Sequence, residues 1–108
     1  MALVNTVIED RARRALEVLA RRSRIVAAYL FGSQVEGTAD RWSDIDLAVF
    51  VEGLDTWALS ARARAAAQVQ QEAGDDVEVH FFPAEALVRR DPAGFAAWVL
   101  ANGRKVER

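Results

Sequence analysis

Apolar residues recur at helical intervals from the start of the chain. Val4, Val7, Ile8, Ala15, Leu16 and Leu19 fall on one stripe, which predicts an amphipathic helix. Asn5 and Thr6 precede it, and Thr6 with Glu9 three residues on has capping-box spacing. The helix ends near Arg22 among arginines, which suit the negative end of its dipole. The pattern then changes. Ile25–Phe31 is a continuous apolar run bounded by Gly32, as expected of a strand buried on both faces. Residues 32–43 are polar and turn-rich, with room for a short helix after the glycine. A second strand is predicted over 44–51, where Ile45, Leu47 and Val49 alternate with Asp44, Asp46 and Ala48.

The second half continues the alternation. Residues 52–55 read as a turn, and the alanine-rich stretch 56–73 as a helix closed by Gly74. A third strand over 77–82 sets Val77, Val79 and Phe81 against Glu78, His80 and Phe82, and Pro83 ends it. Residues 84–90 predict a short helix. Asp91 is placed as the cap of a last helix, with Pro92 in its first turn and Phe95, Trp98, Val99 and Leu100 inside. Helices alternating with strands imply a single α/β domain over 1–108, a small sheet flanked by helices.

Composition narrows the chemistry. Hydrophobic residues make up 52% of the chain, enough for one core, and there is no cysteine. A disulfide framework, a zinc ribbon and a thiol nucleophile are excluded. No run approaches the roughly 20 apolar residues of a membrane span, and the charged start does not read as a signal peptide, so a soluble, cytoplasmic protein is expected. The net charge of −2 argues against direct nucleic-acid binding, but the charges are uneven. Arg11, Arg13, Arg14, Arg21, Arg22 and Arg24 crowd the first 24 residues and read as the solvated face of the first helix. Glu36, Asp40, Asp44, Asp46, Glu52 and Asp55 face Arg41 alone in 34–55, an acid excess that points to a cation.

The informative stretch runs from Leu30-Phe31-Gly32-Ser33 to Ser43-Asp44-Ile45-Asp46-Leu47. Gly32 lets the backbone turn and approach a ligand closely. Ser33 brings a hydroxyl and, at a helix start, backbone N–H groups suited to an anion. Asp44 and Asp46 lie two apart on a predicted strand and share a face. Two such carboxylates need a positive charge between them, and hard oxygen donors suit Mg²⁺ carried with substrate phosphates. Nucleotidyl or phosphoryl transfer by paired metals follows from that combination. Trp42, beside the pair, is placed equally well on a base or in the core. His80, the sole histidine, shares the parity of Glu78 and is read as structural.

Gly-Ser, ten residues, then Asp-x-Asp resembles the signature of the DNA polymerase β-like nucleotidyltransferase superfamily. The flanks look like its minimal nucleotidyltransferase branch. That resemblance covers essentially the whole chain and implies a small mixed sheet flanked by helices. It also implies two Mg²⁺ ions, ATP as substrate, metal and catalytic roles for Asp44 and Asp46, and nucleotide binding at Gly32 and Ser33. The family's third carboxylate lies on a later strand, and Glu78 is its best match; Asp76, of the same parity, is the other candidate. Relatives more often carry Asp at that position, and a basic residue where this chain has Glu36. Stand-alone members resemble antitoxins encoded beside a helical HEPN ribonuclease toxin. The implied reaction is AMP transfer to a toxin tyrosine, within a homo- or hetero-oligomer. Two alternatives stay open: an antitoxin that neutralises its partner by docking alone, and a transferase subunit that modifies a small-molecule hydroxyl.

Overall fold

The computed structural model describes residues 6–32 and 44–107. Within them the order is α1 (Thr6–Ala20), β1 (Ile25–Phe31), β2 (Ile45–Val51), α2 (Leu59–Ala73), β3 (Val77–Pro83), α3 (Phe95–Asn102) and β4 (Arg104–Lys105). Two 3₁₀ turns, Leu54–Thr56 and Ala84–Leu87, connect them. The strands form one mixed sheet in the order β3-β2-β1-β4. β1 runs antiparallel to β2 and β4, and β2 runs parallel to β3. This is the α/β class that the sequence pattern predicts and the small mixed sheet that the family resemblance implies. The short helix expected after Gly32 lies outside the described residues, as do Ser33, Glu36, Arg41 and Trp42.

Alternation along the strands divides the side chains between two layers. Leu30, Ile45, Leu47, Val49, Val51 and Val77 join Ala12, Ala15, Leu16 and Leu19 of α1 and Val69 of α2 in the larger core. Each fully buried aliphatic side chain there contributes about 1.5–3 kcal/mol of transfer free energy. The opposite parity forms a smaller aromatic core. Phe31, Ala48 and Phe50 meet Val99 of α3 and Ala86 of the second 3₁₀ turn.

Several boundaries differ from expectation for identifiable reasons. The helix predicted from residue 56 begins at Leu59. Gly53, at φ 70°, starts a 3₁₀ turn, and Trp57 then extends (φ −83°, ψ 131°), its indole 5.6 Å from the ring of Phe81. Residues 84–90 make one 3₁₀ turn rather than a helix. Asp91 does not cap the last helix. Its carboxylate accepts from Ala93 N–H and its carbonyl from Gly94 N–H, closing a separate turn, so α3 starts only at Phe95. Burial also departs from the pattern. β2, which reads as half-buried, is buried at every position except Asp46, because both layers cover it. β1, which reads as buried throughout, leaves Val26 half exposed. β4 is too short to show any alternation.

A candidate metal and nucleotide site at the end of the sheet

The strand register assembles the site. Phe31 pairs with Asp46, and Asp46 pairs with Glu78, so the three residues form one rung across β1, β2 and β3. Ala48 and His80 make the next rung between β2 and β3. All of these residues have the parity of the aromatic face. Toward the middle of the sheet that face is filled by Ala48, Phe50 and Phe82. At this end it carries carboxylates instead.

Three donor atoms converge there. His80 Nε2 lies 3.2 Å from Asp46 Oδ1 and 3.9 Å from Glu78 Oε1. One ligand atom from each of Asp46, Glu78 and His80 falls within 4.8 Å of the other two. Asp46 and His80 are about three-quarters shielded from solvent, whereas Glu78 is half exposed. Donors around one small divalent cation at about 2.1 Å stand roughly 3–4 Å apart, so this spacing fits a single ion. Two carboxylate oxygens and one imidazole nitrogen are also a chemically sound donor set. The sheet holds like charges close together here, which is unfavourable unless a cation or proton intervenes.

Gly32 is part of this geometry. It has φ 81°, a left-handed conformation that side chains disfavour. A Cβ built on it would lie 2.6 Å from Asp46 Oδ2. The absent side chain therefore makes room for the carboxylate as well as for the turn.

The predicted site residues are thus only partly assembled. Gly32, Asp46 and Glu78 come together. Asp44 lies exposed one residue before β2 and is not one of the converging three. Ser33 is outside the described residues. Asp76, the other candidate for third carboxylate, is engaged elsewhere. Its carboxylate pairs with Arg11 of α1, and its carbonyl accepts from Ile45 N–H at 2.8 Å. The Arg11 guanidinium holds the Asp76 carboxyl below its ordinary range.

His80, read from the sequence as structural, stands beside Asp46 and Glu78. Its shared parity with Glu78 was the available signal. Its proximity to Asp46 depends on the parallel register of β2 and β3, which parity does not give. Aromatic rings hold the imidazole in place, with Phe31 at 4.9 Å and Phe95 at 5.9 Å between centroids. Phe95 and Trp98 stack at the exposed rim of this wall.

Much of the basic N-terminal segment is tied up in ion pairs. Arg13 pairs with Glu9 and Asp10, Arg14 with Glu17 and Glu72, Arg21 with Glu72, and Arg24 with Glu52. This accords with a solvated helix face. A groove of about 720 Å³ between α1 and α2, lined in part by Leu19, Trp57 and Ala61, contains none of the site residues. No helix among the described residues is long and apolar enough to cross a membrane.

Comparison with known proteins shows the family. Residues 14–103 match the family described as Polymerase beta, Nucleotidyltransferase. Curated proteins give no match. A solved structure described as "Crystal structure of the toxin-antitoxin with AMP-PNP" is similar, with a TM-score of 0.62 and 26% identity over 89% of this chain and 72% of that one. The resemblance drawn from Gly32-Ser33 and the Asp44-x-Asp46 pair is borne out by a match that spans most of the sequence: the chain belongs to the polymerase β nucleotidyltransferase family.

Proposed function

We propose that this chain is a Mg²⁺-dependent antitoxin that transfers AMP from ATP to a tyrosine hydroxyl of a helical HEPN ribonuclease toxin, and so silences it. The observation that carries the reading is the convergence of Asp46 and Glu78 beside the Gly32 turn. The similar toxin–antitoxin structure with AMP-PNP, an ATP analogue, supports both the nucleotide and the kind of partner.

In this reading the acceptor oxygen attacks the α-phosphorus, the bond to the β-phosphate oxygen breaks, and pyrophosphate leaves. Asp44 and Asp46 hold the cations, and Glu78 adds a further ligand and receives the acceptor proton. Gly32 and Ser33 hold the β- and γ-phosphates, with the open backbone at Gly32 allowing close approach. Bound Mg²⁺ supplies charge neutralisation at the phosphates. The protein's part is orientation, since in-line transfer depends mostly on positioning and preorganised charge.

The test is incubation of the protein with α-labelled ATP, Mg²⁺ and the product of the adjacent gene. The expected result is label on a partner tyrosine, lost with Asp46→Asn. Neutralisation that persists without label transfer identifies docking alone as the mechanism. Label on a small molecule instead identifies the other kind of acceptor.

A further inference from the structure

We propose that His80 is a direct metal ligand, so that the cation position between β2 and β3 has a nitrogen donor as well as carboxylates. This rests on the reading that the site holds a divalent cation. It goes beyond that reading by naming a donor that an all-carboxylate site lacks.

Three features carry it. His80 Nε2 is the ring nitrogen that faces the acids, at 3.2 Å from Asp46 Oδ1 and 3.9 Å from Glu78 Oε1. These separations are those of neighbouring donors on one ion at about 2.1 Å. Phe31 and Phe95 pack edge-to-face against the ring, which reduces the side-chain freedom to be lost on ligation. Finally, Ala48 is the residue of β2 that pairs with His80, and its small side chain leaves Asp46 as the polar neighbour across the strand boundary.

The consequence is metal preference. Mg²⁺ takes oxygen donors almost exclusively, whereas Mn²⁺ accepts imidazole more readily than Mg²⁺ does and the later first-row ions favour it further. A site made of Asp46, Glu78 and His80 therefore favours Mn²⁺ over Mg²⁺ more strongly than carboxylates alone would. Asp44, outside this trio, is left to serve the cation that travels with the triphosphate.

His80 is the sole histidine in the chain, which makes the test direct. Tag-free full-length protein is loaded with Mn²⁺ and studied by pulsed EPR, unlabelled and with ¹⁵N-histidine. The expected result is nitrogen coupling typical of a bound imidazole, whose frequencies change on ¹⁵N labelling and which is lost in His80→Gln. In competition titrations the same variant shows a weaker preference for Mn²⁺ over Mg²⁺. Bound Mn²⁺ without histidine nitrogen coupling overturns the proposal, and so does failure to bind Mn²⁺. The labelled protein needs no substitution, so misfolding of a variant does not blur the result. Label transfer in Mg²⁺ without nitrogen coupling would remove only the role of His80. Nitrogen coupling without label transfer would remove only the transferase reading.

Discussion

The two faces of the sheet are built from the same strands, one residue out of step, and they have opposite characters. On β2 the face under α1 and α2 is aliphatic throughout, from Ile45 to Val51. The face under α3 is apolar only in part. Ala48 and Phe50 are buried there, but Asp46 on the same strand and face is a partly exposed carboxylate. The covered face contributes the stability that lets the open end of the other hold acids close together. The candidate site lies where burial is incomplete, and where a cation could offset charge that hydrophobic packing cannot.

Substitutions can break or sharpen this contrast. The largest effect is expected on the covered face. Leu47→Ala removes a fully buried side chain and should destabilise the fold by about 2–5 kcal/mol, read as a lowered urea midpoint. A loss below about 1 kcal/mol would mean that this face does not carry the stability. Next, Asp46→Asn on the open face should lower label transfer at least about a hundredfold, near 2.7 kcal/mol of barrier, while the urea midpoint changes little. Gly32→Ala joins the two effects. The left-handed backbone costs about 1–2 kcal/mol, and the new Cβ meets Asp46 Oδ2, so both melting temperature and Mn²⁺ affinity should fall. A normal melting temperature with normal Mn²⁺ affinity would show that the turn is not matched to the carboxylate.

The smallest effect lies at the edge of the covered face. Arg11→Ala removes the partner of a half-exposed Asp76 and should cost about 1 kcal/mol or less at neutral pH. Its clearer mark is on acid stability. Arg11 lowers Asp76, and Arg21, aided by Gln68, lowers Glu72 to about 2. Both carboxyls bind protons less readily in the folded chain than in the unfolded one. Their stabilisation is complete above the ordinary carboxylate range, near about 4, and is lost as pH falls through the folded values. Arg11→Ala should flatten the fall in stability below about pH 4, measured by denaturant titration across pH.

Much of this was legible beforehand because it is local. The periodicity of α1, the three longer strands, Gly74 as a C-cap and the Gly32 turn followed by the Asp44-x-Asp46 pair all depend on residues a few positions apart. Misplaced elements had tertiary causes. The start of α2 was displaced by Trp57 turning to Phe81, and the burial of β2 beyond Asp46 on its second face required α3 to cover it.

By itself, then, the sequence determined the longer elements and the α/β class, because backbone sterics and hydrophobic period act over short separations, and its Gly-Ser and Asp-x-Asp motif carried the resemblance to the family. The tertiary structure decided which acids meet. Asp76 and Glu78 have the same parity, yet one is held by Arg11, 65 residues away, and the other points toward Asp46 and His80. His80 and Asp46 stand 34 residues apart and touch because β3 is parallel to β2 in one particular register. No periodicity within a strand encodes that register. It is set by α2 crossing between the two strands and by the packing of both layers on the sheet.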